Sequence, residues 1–133
     1  MKAYQLGVYE KAMPAQVEWQ ERLSEGRRAG FDFVEISIDE SEERQARLHW
    51  SGGQRDKLWN MAQAANLPIR TMCLSGHRKY PLGSHDAQIR ARGMEIMEQA
   101  IELACDLGVR IIQLAGYDVY YEQGDSETQA YFT

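Results

Sequence analysis

Apolar residues gather in short runs, separated by longer segments in which they recur at every third or fourth position. This alternation sets the predicted architecture. The clearest run opens at Arg110 with Ile111, Ile112, Gln113 and Leu114, bounded upstream by Gly108. It predicts a strand buried on both faces, as in parallel sheets. The chain then turns polar and aromatic through Gly116, Tyr117, Asp118, Tyr120 and Tyr121. Three earlier runs predict strands at Tyr4–Tyr9, Phe31–Ile38 and Ile69–Leu74. In the second, Phe33, Val34, Ile36 and Ile38 suit a pleated surface, and Glu35 and Ser37 alternate with them, sharing one face.

The intervening segments read as helices. Pro14 suits a first helical turn, Trp19 and Leu23 follow with small residues, and Gly30 stops the helix. Asp39–His49, acidic at its start, is expected to be a solvated loop over the strand ends. Ser51 and Gln54 fit a capping box, and Leu58, Met61, Ala62 and Ala65 keep helical spacing to about Asn66. Ser84 is expected to cap a third helix, with Asp86 in its first turn and Met94, Met97, Ile101, Ala104 and Leu107 along it. Gly108 ends that helix. Asp125 or Ser126 is placed to cap a fourth.

Strand and helix therefore alternate, which predicts a parallel sheet with crossover helices in one domain, residues 1–133. A closed barrel of eight such units takes about 250 residues. The chain has 133. Two architectures fit: a complete four-stranded open sheet, or the N-terminal half of a (β/α)8 barrel. The last helix breaks off just after its start, and this favours the half-barrel.

The net charge of -5 argues against nucleic acid as a partner, since phosphate backbones want a basic face. A small phosphorylated ligand needs only a local basic pocket. No segment has the apolar length of a membrane span or the pattern of a signal peptide. Cys73 on a strand and Cys105 on a helix read as buried thiols and suggest no disulfide framework. The expected setting is the cytoplasm.

Candidate chemistry lies at the carboxyl ends of the strands, where barrels of this kind work. His77 follows strand three and is placed to bind substrate or metal. The plainer reading is a loop histidine bonded to a neighbouring backbone group. Arg78 and Lys79 are placed to hold phosphate or a sugar hydroxyl, or are solvated. Glu35 is expected near the mouth, bonded to a sugar or held in an internal ion pair. Gln113 is a buried amide that needs partners, from a sugar or from the protein. Tyr117, Tyr120 and Tyr121 wall a pocket or form an interface. Glu10 and Lys11 are slightly better read as an ordinary surface pair than as a mouth pair. No glycine-rich phosphate loop follows strand one, which disfavours a flavodoxin-like sheet.

Tyr9-Glu10-Lys11-Ala12, Phe31-Asp32-Phe33-Val34-Glu35, Met72-Cys73-Leu74-Ser75, His77-Arg78, Pro81-Leu82-Gly83-Ser84 and the stretch from Ile112 to Tyr121 resemble the L-ribulose-5-phosphate 3-epimerase family, whose members act on L-xylulose 5-phosphate and are also labelled hexulose-6-phosphate isomerases. The resemblance covers essentially the whole chain. It implies a xylose isomerase-like barrel, a divalent metal, and epimerisation at C3 of a ketopentose phosphate in L-ascorbate and pentose breakdown. It also implies that the metal ligands and the acid/base carboxylates come from later strands, beyond Thr133, so no catalytic or metal-binding residue is assigned in this chain. Substrate contacts are expected from Glu35, His77, Arg78, Gln113 and Tyr117, the partner being a small sugar phosphate and the assembly a homo-oligomer. The alternative is a non-catalytic half-barrel serving binding or assembly.

Overall fold

Every strand pairs in parallel with the one that follows it in the chain, giving the sheet order β1-β2-β3-β4. The strands are β1 (Gly7–Tyr9), β2 (Phe33–Ile38), β3 (Ile69–Leu74) and β4 (Ile111–Leu114). The helices are α1 (Trp19–Arg28), α2 (Glu42–Gln45), α3 (Gly52–Ala64), α4 (Ala87–Leu107) and α5 (Ser126–Phe132). The computed structural model describes residues 2–133.

A doubly wound sheet reverses its strand order at a switch point and carries helices on both faces. This sheet does neither. Val8, Val34, Ile36, Ile38, Met72 and Leu74 are buried in one core with Leu23 of α1, Leu58 and Ala62 of α3, and Ile96, Ala100 and Leu103 of α4. α1 packs on α3 and α3 on α4, so the helices form one layer. The other face of the sheet carries Tyr9, Glu35, Thr71 and Cys73, all half-buried. Sequential strand order with helices on one side is the arrangement of a barrel segment. Between β2 and β3 the register slips: Val34 faces Ile69 while Glu35 faces Thr71. Arg70 is thus the extra residue of a bulge.

Several local expectations hold. Ser51 and Gln54 form the capping box at α3, Asp125 caps α5, and β3 runs from Ile69 to Leu74. Gly30 (φ 95°) and Gly108 (φ 73°) are left-handed residues after helices, a conformation only glycine adopts without strain. Others are corrected. Asp39–His49 is no open loop: Ser41 caps the short helix α2, and a 3-10 turn follows at Ala46–His49. α1 starts at Trp19, five residues beyond Pro14. Asp86, not Ser84, caps α4 by accepting from Gln88 N. Ser84 is buried and donates to Glu122, tying this loop to the segment before α5.

The largest difference lies in β4. Its apolar run predicts burial on both faces, yet Ile111 is 63% and Leu114 50% exposed. The cause is position: among the described residues β4 is the sheet edge, and its outer side meets no strand. The thiols also differ from expectation, with Cys105 exposed and Cys73 half-buried, both free. Among the described residues no helix is long and apolar enough to cross a membrane.

Candidate functional site

The carboxyl ends of β1 and β2 carry a buried charge cluster. Glu10, in the 3-10 turn Glu10–Ala12 directly after β1, is only 1% exposed. Its carboxylate accepts from Ser37 N at 2.7 Å and from Arg47 Nη1 at 2.6 Å. Arg44 Nε lies at 3.4 Å and Arg22 Nη1 at 4.0 Å. The guanidinium groups of Arg22 and Arg47 both stand over the Trp19 ring. A carboxylate this deep persists because it is paired and fully hydrogen-bonded. The surface pairing expected for Glu10 and Lys11 is therefore wrong for both. Glu10 binds arginines, while Lys11 reaches Asp39 at 2.6 Å.

Asp39 closes β2. Burial opposes its ionisation, but the Lys11 ammonium and bonds from Ser41 N and Oγ outweigh that and hold its carboxyl at about 2. His77, in the 3-10 turn Gly76–Arg78 after β3, is 6% exposed. Burial pushes its imidazole below the ordinary value of 6.5, against the bond to Gly93. Its Nε2 lies 2.9 Å from the Gly93 carbonyl of α4. A carbonyl only accepts, which assigns the proton to Nε2.

Both groups have folded values below their unfolded ones, so both contribute stability that is lost on acidification. The His77 share is expected to fade as pH drops below about 6.5. The Asp39 share, about 2 kcal/mol, should fade between pH ~4 and ~2. Urea midpoints measured across pH test this. His77→Gln should remove the upper step and Asp39→Asn the lower.

A pocket of about 170 Å³ opens at the carboxyl ends of β3 and β4, lined by Cys73, Ser75, Arg78, Gln113, Tyr117 and Tyr120 among others. The Arg78 guanidinium sits over the Tyr120 ring, 5.4 Å from its centroid. Tyr120 packs on Tyr117 with the rings tilted at 45° and 5.2 Å apart, and meets Tyr121 edge-on at 4.9 Å. Tyr121 Oη donates to Glu40 at 2.8 Å. The Tyr117 Oη is buried and, among the described residues, has no hydrogen-bond partner. Burial pushes this phenol up, with Arg78 pulling the other way. An orphaned buried hydroxyl is rare and asks for an explanation.

Three of the five predicted substrate contacts, Arg78, Gln113 and Tyr117, thus share one pocket. The other two lie elsewhere. Glu35 faces the open side of the sheet as expected, and its Oε2 accepts from Thr71 Oγ1 at 2.9 Å. His77 takes up the plain bond to backbone. Gln113 is exposed rather than buried, because β4 is an edge. Lys79 is exposed over the Tyr80 ring. Sequence reasoning missed the arginine partners of Glu10 and the buried Ser75. Among the described residues no three His, Cys, Asp or Glu side chains are grouped to hold a metal ion. The buried carboxylates Glu10 and Asp39 are already taken by cations. The donor set present does not by itself fit a divalent metal.

Fold and pocket define an α/β barrel segment with its polar mouth at the strand ends, and the chain belongs to the xylose isomerase-like TIM barrel family, whose model matches residues 23–132. Among individual proteins it is 52% identical over 131 residues to the L-ribulose-5-phosphate 3-epimerase UlaE of Shigella boydii serotype 18, and equally so to UlaE of Escherichia coli O157:H7. Each match takes in 98% of this chain and 46% of the relative. The chain therefore spans about half the length of the curated relatives it matches. Its fold superposes on D-psicose 3-epimerase in the presence of D-fructose with a TM-score of 0.76 at 16% identity, covering 97% of this chain and 45% of that one. L-ribulose 3-epimerase gives a TM-score of 0.66 at 25% identity, covering 96% and 42%.

Proposed function

We propose that this chain is the N-terminal half of a barrel-type ketose-phosphate 3-epimerase that interconverts L-xylulose 5-phosphate and L-ribulose 5-phosphate. The observation that carries the reading is 52% identity to L-ribulose-5-phosphate 3-epimerases, sustained over 98% of this chain. Epimerisation beside a carbonyl takes the C3 proton from one face and returns one to the other, through an enediolate, and needs two opposed acid/base groups. The carboxylates for that work, and the ligands of the divalent ion that such a reaction uses, belong outside these 133 residues.

This half supplies substrate binding. Arg78 holds an oxygen of the sugar phosphate. The Gln113 amide and the unpartnered Tyr117 hydroxyl take sugar hydroxyls. Glu35 fixes Thr71 on the inner face, and His77 seats the turn that presents Arg78. The exposed edge of β4 is where the remaining strands of the barrel pair. The same reading places the protein in the cytoplasm, in homo-oligomers, in L-ascorbate and pentose catabolism.

The test is an epimerase assay with L-xylulose 5-phosphate and divalent metal. It is run on the 133-residue chain alone and on the same chain continued by the second half of UlaE. Turnover is expected only in the longer protein, and Arg78→Ala there should lower kcat/KM by about 10- to 100-fold. Full activity of the short chain would overturn the placement of the acid/base groups. Inactivity of the long one on every pentulose phosphate would leave the non-catalytic binding module as the reading.

A further inference from the structure

The amino-terminal end of the sheet, opposite the β3/β4 mouth, holds a second cavity. It is an open cleft of about 480 Å³ between the start of β3, the start of β4 and the C-terminal ends of α3 and α4. Its wall includes Arg27, Asp32, Trp59, Gln63, Arg70 and Arg110. Three guanidinium groups against one carboxylate is a local excess of positive charge in a chain whose net charge is -5.

That excess is not neutralised within the fold. Asp32 is engaged by Arg27 at 3.7 Å and by Lys2 at 3.6 Å, and it also accepts from Leu6 N. Among the described residues, neither Arg70 nor Arg110 makes a side-chain hydrogen bond or ion pair. The Arg70 Nε is buried with no partner. The bulge between β2 and β3 is what places Arg70 here, as the residue skipped by the register. Arg110 N donates to the Arg70 carbonyl at 2.8 Å, so the backbone ties the two arginines together at adjacent strand starts.

The obvious structural role for these arginines is to offset the negative C-terminal ends of α3 and α4. If they did so by capping, their donors would rest on the last carbonyls of those helices. They do not: Arg27 alone bonds a carbonyl, that of Phe31. A guanidinium without an acceptor is costly when water is kept from it, and an oxyanion in the cavity gives an acceptor to the remaining donors of Arg70 and to those of Arg110, both of which line it. Two arginines on one cavity wall offer the planar, forked donors that phosphate oxygens accept.

We propose that this cavity is a binding site for a small phosphate-class oxyanion, held by Arg70 and Arg110. The amide of Gln63 and the indole of Trp59 line the space beside it for the rest of a phosphorylated metabolite. It lies at the opposite end of the strands from the reaction mouth, and it rests on the half-barrel reading only in that Arg110, beside the edge strand β4, must stay open when further strands pair there.

The test is calorimetric titration of the protein with inorganic phosphate and, separately, with malonate, at low ionic strength. Saturable phosphate binding of roughly millimolar strength or better is expected. Arg70→Gln and Arg110→Gln should each weaken it about tenfold or more. Arg92→Gln, which removes a cation paired with Glu95 on α4 away from this cavity, should leave the binding unchanged. Arg110 is exposed, so its variant reads out the site even if the Arg70 variant folds poorly. Absence of saturation, binding unchanged in the Arg110 variant, or a clear preference for malonate would each overturn the proposal. Failure of the epimerase assay would not touch it.

Discussion

Glu10→Ala is expected to lower the free energy of unfolding by about 3–5 kcal/mol. The effect comes from what the substitution leaves behind rather than from what it removes. Arg47 is 4% exposed and donates to Glu10 and to the Ser37 carbonyl. Without the carboxylate its charge stays in a site walled by the rings of Trp19 and Trp50. Ser37 N, which donates to Glu10 at 2.7 Å, loses that acceptor as well. The contact also matters for topology. β1 pairs with β2 through three residue positions, Gly7 to Tyr9, and Glu10 clamps the end of that short ladder onto Ser37. Arg44→Ala should cost less than about 1 kcal/mol, because its guanidinium is more open to water and Arg47 remains. Replacing the pair together, Glu10→Leu with Arg47→Met, should recover much of the loss, since a buried ion pair is often matched by apolar packing. Urea unfolding at constant m separates these outcomes. A Glu10→Ala protein within 1 kcal/mol of the parent would show that the cluster does not hold β1 in place.

The strands and the inner face were legible because they rest on local periodicity. Glu35 and Ser37 alternate with Val34, Ile36 and Ile38, and they do point away from the helices. The β3/β4 pocket was legible in part, since Arg78, Gln113 and Tyr117 follow strands whose ends any parallel barrel brings together. What could not be read depends on partners distant in sequence. Arg47 lies 37 residues from Glu10, and nothing near Glu10 signals that three arginines converge on it. Arg70 sits inside the strand run Ile69–Leu74 with nothing beside it to mark it, because a register slip is a property of two strands. β4 shows the reverse case. Its apolar run states the burial the residues are suited to, while its 50–63% exposed side chains state what this chain alone provides. That mismatch between composition and environment gives Gln113 its exposed amide, and it is the physical basis for reading β4 as a strand that pairs on its far side.

Gly93→Ala is expected to destabilise the protein by about 2 kcal/mol or more and to disturb the pocket from a distance. In an ordinary helix the same change stabilises by up to about 1 kcal/mol, because alanine has the higher helix propensity. The neighbours of Gly93 in α4 reverse that sign. A Cβ there would lie 2.5 Å from the Tyr80 carbonyl and 3.0 Å from Leu82 Cδ2. A backbone oxygen cannot swing aside as a side-chain tip can, so the whole segment from Gly76 to Leu82 must lift. The Gly93 carbonyl also accepts the His77 proton, and that bond is worth about 1 kcal/mol in its own right. Lifting the segment moves Arg78, the residue after His77, off the Tyr120 ring. Stability and pocket geometry should therefore fail together. In the longer protein of the epimerase assay, kcat/KM is expected to fall with KM rising, the signature of weakened binding. Proton NMR offers a readout that generic destabilisation does not supply: once His77 leaves its buried seat, its titration should move up toward 6.5. Gly52→Ala, in the first turn of α3 where an added Cβ meets nothing, serves as the control and should be neutral or slightly stabilising. If the Gly93 variant were as stable as that control, the turn after β3 would not be seated on α4 through this glycine. The positioning of Arg78 would then need another cause.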